Sequence, residues 1–130
     1  MKIKGILLKA GSALPPDVID VEDDIDINDL YKLLNCNAID TTYRYFGQKR
    51  FLIICDDEGW LKEKPIATAY EKRFLKLCPV LAGNLLILGD VKGELPTSLG
   101  LRDIVCILDH GFKKRCPNTG KKHYALLLDD

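Results

Sequence analysis

The chain has 130 residues, 47% of them apolar, with 19 basic side chains against 19 acidic ones. That length is the size of one domain, and the composition excludes a disordered chain. The charge balance excludes a dedicated nucleic-acid coat.

No stretch approaches the roughly 20 apolar residues needed to cross a bilayer. The short apolar run after Met1 ends at Lys9 without a cleavage site, so no export signal is predicted. Cys36, Cys55, Cys78, Cys106 and Cys116 form no CxxC pair, and several sit in apolar runs; free thiols of this kind suit a reducing cytoplasm.

In chain order, Ile3 to Lys9 reads as a strand, followed by a loop punctuated by Gly11, Ser12, Pro15 and Pro16. Val18 to Val21 reads as a second strand that pairs with the first. Six carboxylates lie between Asp20 and Asp29, and such acids gather at the positive end of a helix more readily than they form a nucleic-acid mimic. Asp26 is the expected N-cap, and Ile27, Leu30, Tyr31 and Leu34 give a buried stripe.

Two β-rich runs follow, Ile39 to Tyr45 and Arg50 to Cys55, with a turn at Gly47 and Gln48. Alternation places Tyr43 and Tyr45 on one face and Arg44 on the other, and the unbroken apolar run Phe51 to Cys55 reads as a central strand. After the polar turn DDEGWLKEKP, Pro65 and the spacing of Ile66, Ala69, Tyr70, Phe74 and Leu77 predict a helix that Pro79 stops.

The run VLAGNLLILGD predicts another central strand, with Gly83 and Gly89 marking its ends or a bulge. Leu101, Ile104, Val105 and Leu108 repeat the helical stripe up to Gly111. A basic loop with Lys113, Lys114, Arg115, Lys121 and Lys122 then leads to an edge strand from Tyr124 to Leu128. The expected fold is therefore α+β: one mixed or antiparallel sheet of about five or six strands packed with about three helices. Residues 1–112 make the domain and 113–130 a basic extension.

The acidic turn with Asp57, Glu58, Gly59, Leu61 and Lys62, the strand with Gly83, Leu86 and Ile87, and the helix opening at Ser98 and Leu99 follow one another in a familiar order. In that order and spacing the chain resembles an uncharacterised family, domain of unknown function 3846, over about residues 1 to 108. The resemblance implies a phage, plasmid or other mobile-element setting and a bacterial cytoplasm. It implies no activity.

Several groups of residues offer chemistry. Asp56, Asp57 and Glu58 are adjacent carboxylates that could hold a divalent metal, but consecutive residues point in different directions, and a solvated turn explains them equally. His110, Cys116 and His123 match no zinc-ligand spacing, and Cys116 is expected in an exposed basic loop. No phosphate-binding loop, dinucleotide fingerprint or hydrolase motif is present, and no cofactor is expected.

Tyr43, Arg44, Tyr45 and Arg50 interleave aromatic faces with positive charge, the recipe for stacking a base and pairing its phosphate, with Arg115 and Lys121 adding contacts if the tail folds back. The bland alternative is a strand with one packed and one solvated face. Three functions follow: a non-enzymatic accessory protein that binds a protein partner, with counter-defence as one setting; a small-molecule binder that sequesters a nucleotide-like signal; and a metal-dependent enzyme. Nucleic acid and membrane partners are not favoured, and an uncovered edge strand could pair two copies.

Overall fold

A computed structural model describes residues 1–117 and 119–129. The chain runs β1 (Lys2–Leu8), β2 (Asp17–Glu22), α1 (Ile27–Leu34), β3 (Ile39–Phe46), β4 (Lys49–Asp56), a 3-10 turn (Gly59–Leu61), β5 (Ala67–Arg73), β6 (Lys76–Ala82), β7 (Leu85–Lys92), β8 (Leu95–Thr97), α2 (Leu101–Asp109), β9 (Gly111–Arg115) and β10 (Lys122–Leu128). The first sheet has the order β2-β1-β7-β4-β3, with β8 beside β7, and the second has the order β6-β5-β10-β9. Every pairing is antiparallel except β5 with β10.

The predicted α+β class is thus corrected to a mostly β protein, with two sheets in place of one and two α-helices in place of three among the described residues. Its strands explain the layering. On β4 and β7, Phe51, Ile53, Cys55, Leu85 and Ile87 face one core with Ala69, Leu126 and Leu128 of the second sheet and Ile107 of α2. The alternate residues Leu52, Ile54, Leu86 and Leu88 face a second core under Leu30 and Leu34 of α1. A strand buried on both faces has no polar face to show, which is why these runs are continuously apolar.

The β1–β2 hairpin, the β3–β4 hairpin and α1 stand where the sequence places them. Asp26 caps α1, its side chain accepting from the Asn28 N–H at 3.2 Å. Part of the acid run is offset across the first hairpin, where Lys4 pairs with Asp20 and the N-terminal ammonium with Glu22. Gly83 turns the chain between β6 and β7 at φ 86°, and a register shift follows Gly89, so both glycines act as punctuation.

The segment expected as a helix from Ile66 to Pro79 is instead the β5–β6 hairpin. Its turn, Arg73-Phe74-Leu75-Lys76, contains no Gly, Pro, Asn or Asp, and Phe74 itself takes the left-handed conformation at φ 57°. With no turn residue to read, the apolar spacing passes for a helix. Pro79 is tolerated because β6 is an edge strand.

In α2 the core side differs from the expected stripe. Ile107 is fully buried and Ile104 packs against the core, while Leu101 is 78% and Val105 51% exposed. Apolar residues cover so much of this helix that spacing alone does not choose the buried side. Finally, β10 lies between β5 and β9, so the predicted edge strand is an interior one.

Candidate functional site

The β3–β4 hairpin separates the residues grouped from its sequence. Tyr43 and Tyr45 are both 44% exposed on the α1 side of the first sheet, on the face of Leu52 and Ile54. Arg50 shares that face, with its guanidinium carbon 4.5 Å from the centre of the Tyr43 ring, and donates two hydrogen bonds to Asp90 at 2.9 and 3.1 Å. The hydrogen bond from Arg50 holds the Asp90 carboxyl below the usual aspartate range.

Arg44 points the other way, between the sheets, where it pairs with the buried Glu71 of β5. Arg73 donates to the other oxygen of Glu71 at 3.0 Å. Burial alone would raise the Glu71 carboxyl, but the bonds from Arg73 and Arg44 outweigh it and leave its pKa lowered.

Arg115 and Lys121 do not reach this hairpin. The chain meets Tyr45 at Asp129, and Lys121 lies just before the far end of β10, roughly 26 Å away along extended chain. Arg115 closes its own loop by donating to the Gly120 carbonyl at 2.6 Å. The structure therefore brings together Tyr43, Tyr45 and Arg50, with Arg50 already engaged, and separates Arg44, Arg115 and Lys121 from them.

The acidic turn splits in the way that adjacent residues on a chain must. Asp56 is buried, pairs with Lys62 at 3.1 Å and accepts from the Glu58 N–H at 2.9 Å, while Asp57 and Glu58 are exposed. Its neighbour Gly59 packs so closely on Ala82 that a Cβ there would lie 2.1 Å from the Ala82 carbonyl oxygen. Asp56 and Glu58 line a cleft of about 810 Å³ beneath the end of α1, with Tyr31, Asn35, Asn37 and Lys62. An Asp held by a lysine and a backbone amide has the role of a turn brace.

His110, Cys116 and His123 do not converge. His110 caps α2 and bonds Asp129 at 2.9 Å, beside Leu127 of β10, whereas His123 lies four residues back along that strand, about 13 Å. Cys116, expected in an exposed loop, is buried. Burial pushes the thiol of Cys55 up to about 11, and burial also raises Cys36 and Cys106, so none of these three is poised as a thiolate.

A different surface went unread in the sequence because its residues were assigned to helix interiors. At the tip of the β5–β6 hairpin Phe74 is 98% and Leu75 95% exposed, flanked by the exposed Lys72, Arg73 and Lys76. Leu77, at the base of the tip, borders a hollow of about 340 Å³ with Asp109 and His110. Those two residues also edge a second hollow, of about 450 Å³, with Leu101 and Val105. The exposed apolar side chains thus form a band from the hairpin onto α2.

No helix among the described residues is long and apolar enough to cross a membrane. Neither the curated proteins nor the solved structures gave a match. A family model described as a domain of unknown function matches residues 1–109, from β1 to the end of α2. With most of its length matched, the chain belongs to the domain of unknown function family DUF3846.

Proposed function

We propose that this chain is a non-enzymatic accessory protein of a phage or other mobile element that works by holding a partner protein, with counter-defence in a bacterial cytoplasm as its setting. The observation that carries this reading is the hairpin tip. An aromatic and a leucine, both almost wholly exposed and held out by a β-hairpin, bury nothing in the chain itself. Burying both would contribute roughly 3–6 kcal/mol before the costs of association.

The basic flank chooses the occupant: an apolar pocket on a protein, rimmed by carboxylates that meet Lys72 and Lys76. The band continuing over Leu77 to Leu101 and Val105, with its two hollows, extends the contact onto α2. A nucleotide-like ligand at the Tyr43 hairpin is less well supported, because Arg44 is held by Glu71 and Arg50 by Asp90 and Tyr43. A metal enzyme centred on Asp56 is likewise less well supported, since that carboxylate is taken by Lys62 and the Glu58 amide.

The test compares the wild-type chain with Phe74→Asn/Leu75→Asn as bait in bacterial lysate, followed by titration of the purified captured protein. The expected result is affinity about a hundredfold weaker for the variant, with steep salt dependence. Equal affinity, or sedimentation of the wild type with anionic lipid vesicles in place of a protein, would overturn the reading.

A further inference from the structure

Beside the cleft under α1 lies a second recess of about 520 Å³, and its charge is one-sided. Lys9 follows β1, Lys32 sits in the last turn of α1, and Lys62 and Lys64 come from the loop before β5; all four line it together with Asn35, and no carboxylate does. Lys62 is paired with Asp56 on the side of the larger cleft. Lys9, Lys32 and Lys64 make no ion pair among the described residues. Three unpaired ammonium groups from three separate elements, gathered at one concavity, repel one another until an anion sits between them.

The helix end that borders the recess does not oppose this. The carbonyls of Tyr31 and Lys32 accept from the amides of Cys36 and Asn35, and Asn84 Nδ2 donates to the Leu34 carbonyl at 2.9 Å. The negative end of the α1 dipole is therefore largely capped.

The two recesses share Lys32, Asn35 and Lys62, so they form one bipartite cleft. The far half offers the Tyr31 ring, the Asn28, Asn35 and Asn37 amides, and the exposed Glu58 carboxylate beside the Asp56 that Lys62 holds. We infer that this cleft binds a phosphorylated small molecule of the nucleotide class, its phosphates among Lys9, Lys32 and Lys64 and its hydroxyl- or amine-bearing half on the Asn and carboxylate side. The site is separate from the hairpin tip, and its occupancy does not require a protein partner.

The test is calorimetric titration with ADP, with adenosine as the control lacking phosphate, on the wild-type chain and on Lys9→Gln/Lys32→Gln/Lys64→Gln. These positions are exposed, so the fold is retained, and circular dichroism checks it. ADP is expected to bind, adenosine to bind at least about tenfold more weakly, and the triple variant to lose about a hundredfold in affinity for ADP. No heat with ADP, or unchanged ADP affinity in the triple variant, would overturn the inference.

Discussion

Arg44 and Arg73 both bond to Glu71, whose carboxylate is buried. Its folded pKa lies below the ordinary glutamate value, so the stability it contributes is present above that value and is lost as pH falls through the folded one. Acid unfolding should therefore steepen below about pH 4, and Glu71→Gln should flatten that limb; chemical denaturation across pH measures both. Arg44→Met should cost about 1–3 kcal/mol, since Arg73 still serves half of the carboxylate. Phe74 shows the opposite balance. A bulky residue at φ 57° is strained and, in the free chain, buries nothing, so Phe74→Asn should raise stability by about 0.5–1 kcal/mol while abolishing partner binding. A destabilised variant would remove the argument that the phenylalanine is kept for contact. At this scale the sequence is partly legible. The pleat shows that Arg44 opposes Tyr43, but its partner lies on a strand that reads as a helix, so a buried ion pair reads as a phosphate ligand.

Elements whose signals are local were legible, and those that depend on distant partners were not. Asp26 and the apolar stripe specify α1, and Gly47 specifies the β3–β4 turn, because cap and turn residues act within a few positions. The β5–β6 hairpin closes through a turn without turn residues, and α2 has too many apolar positions to show which side is buried. The C-terminal strand misled for another reason: β10 is bounded by a basic loop, yet Leu126 and Leu128 belong to the main core and its pairing with β5 is parallel. Two outcomes follow. Leu126→Ala should cost about 2–5 kcal/mol in denaturant melts, the range for a leucine emptied from a packed core; an exposed edge leucine would cost far less. Gly59→Ala should cost about 1–3 kcal/mol, because its Cβ would run into the Ala82 carbonyl and push the acidic turn off β6.

At the scale of the molecule, the first sheet is sandwiched between α1 and the second sheet with α2, and each outer layer carries one unspent feature. The α1 side has the lysine recess, and the far side has the apolar band that ends at Phe74 and Leu75. The recess joins residues far apart in sequence, and the tip, though a local run from Lys72 to Leu77, is hidden by its helix-like spacing, so neither is visible as a motif. The family match covers the chain through α2, so the hairpin tip falls inside the shared region while β9 and β10 follow it. The central claim, that the tip is a protein-docking element, is tested most directly by placing a photo-crosslinking phenylalanine analogue at position 74 and, in a parallel variant, at position 43. Irradiation in the cell should trap one discrete protein adduct from position 74 and none from position 43. Equal adducts from both positions, or only lipid adducts from position 74, would contradict it.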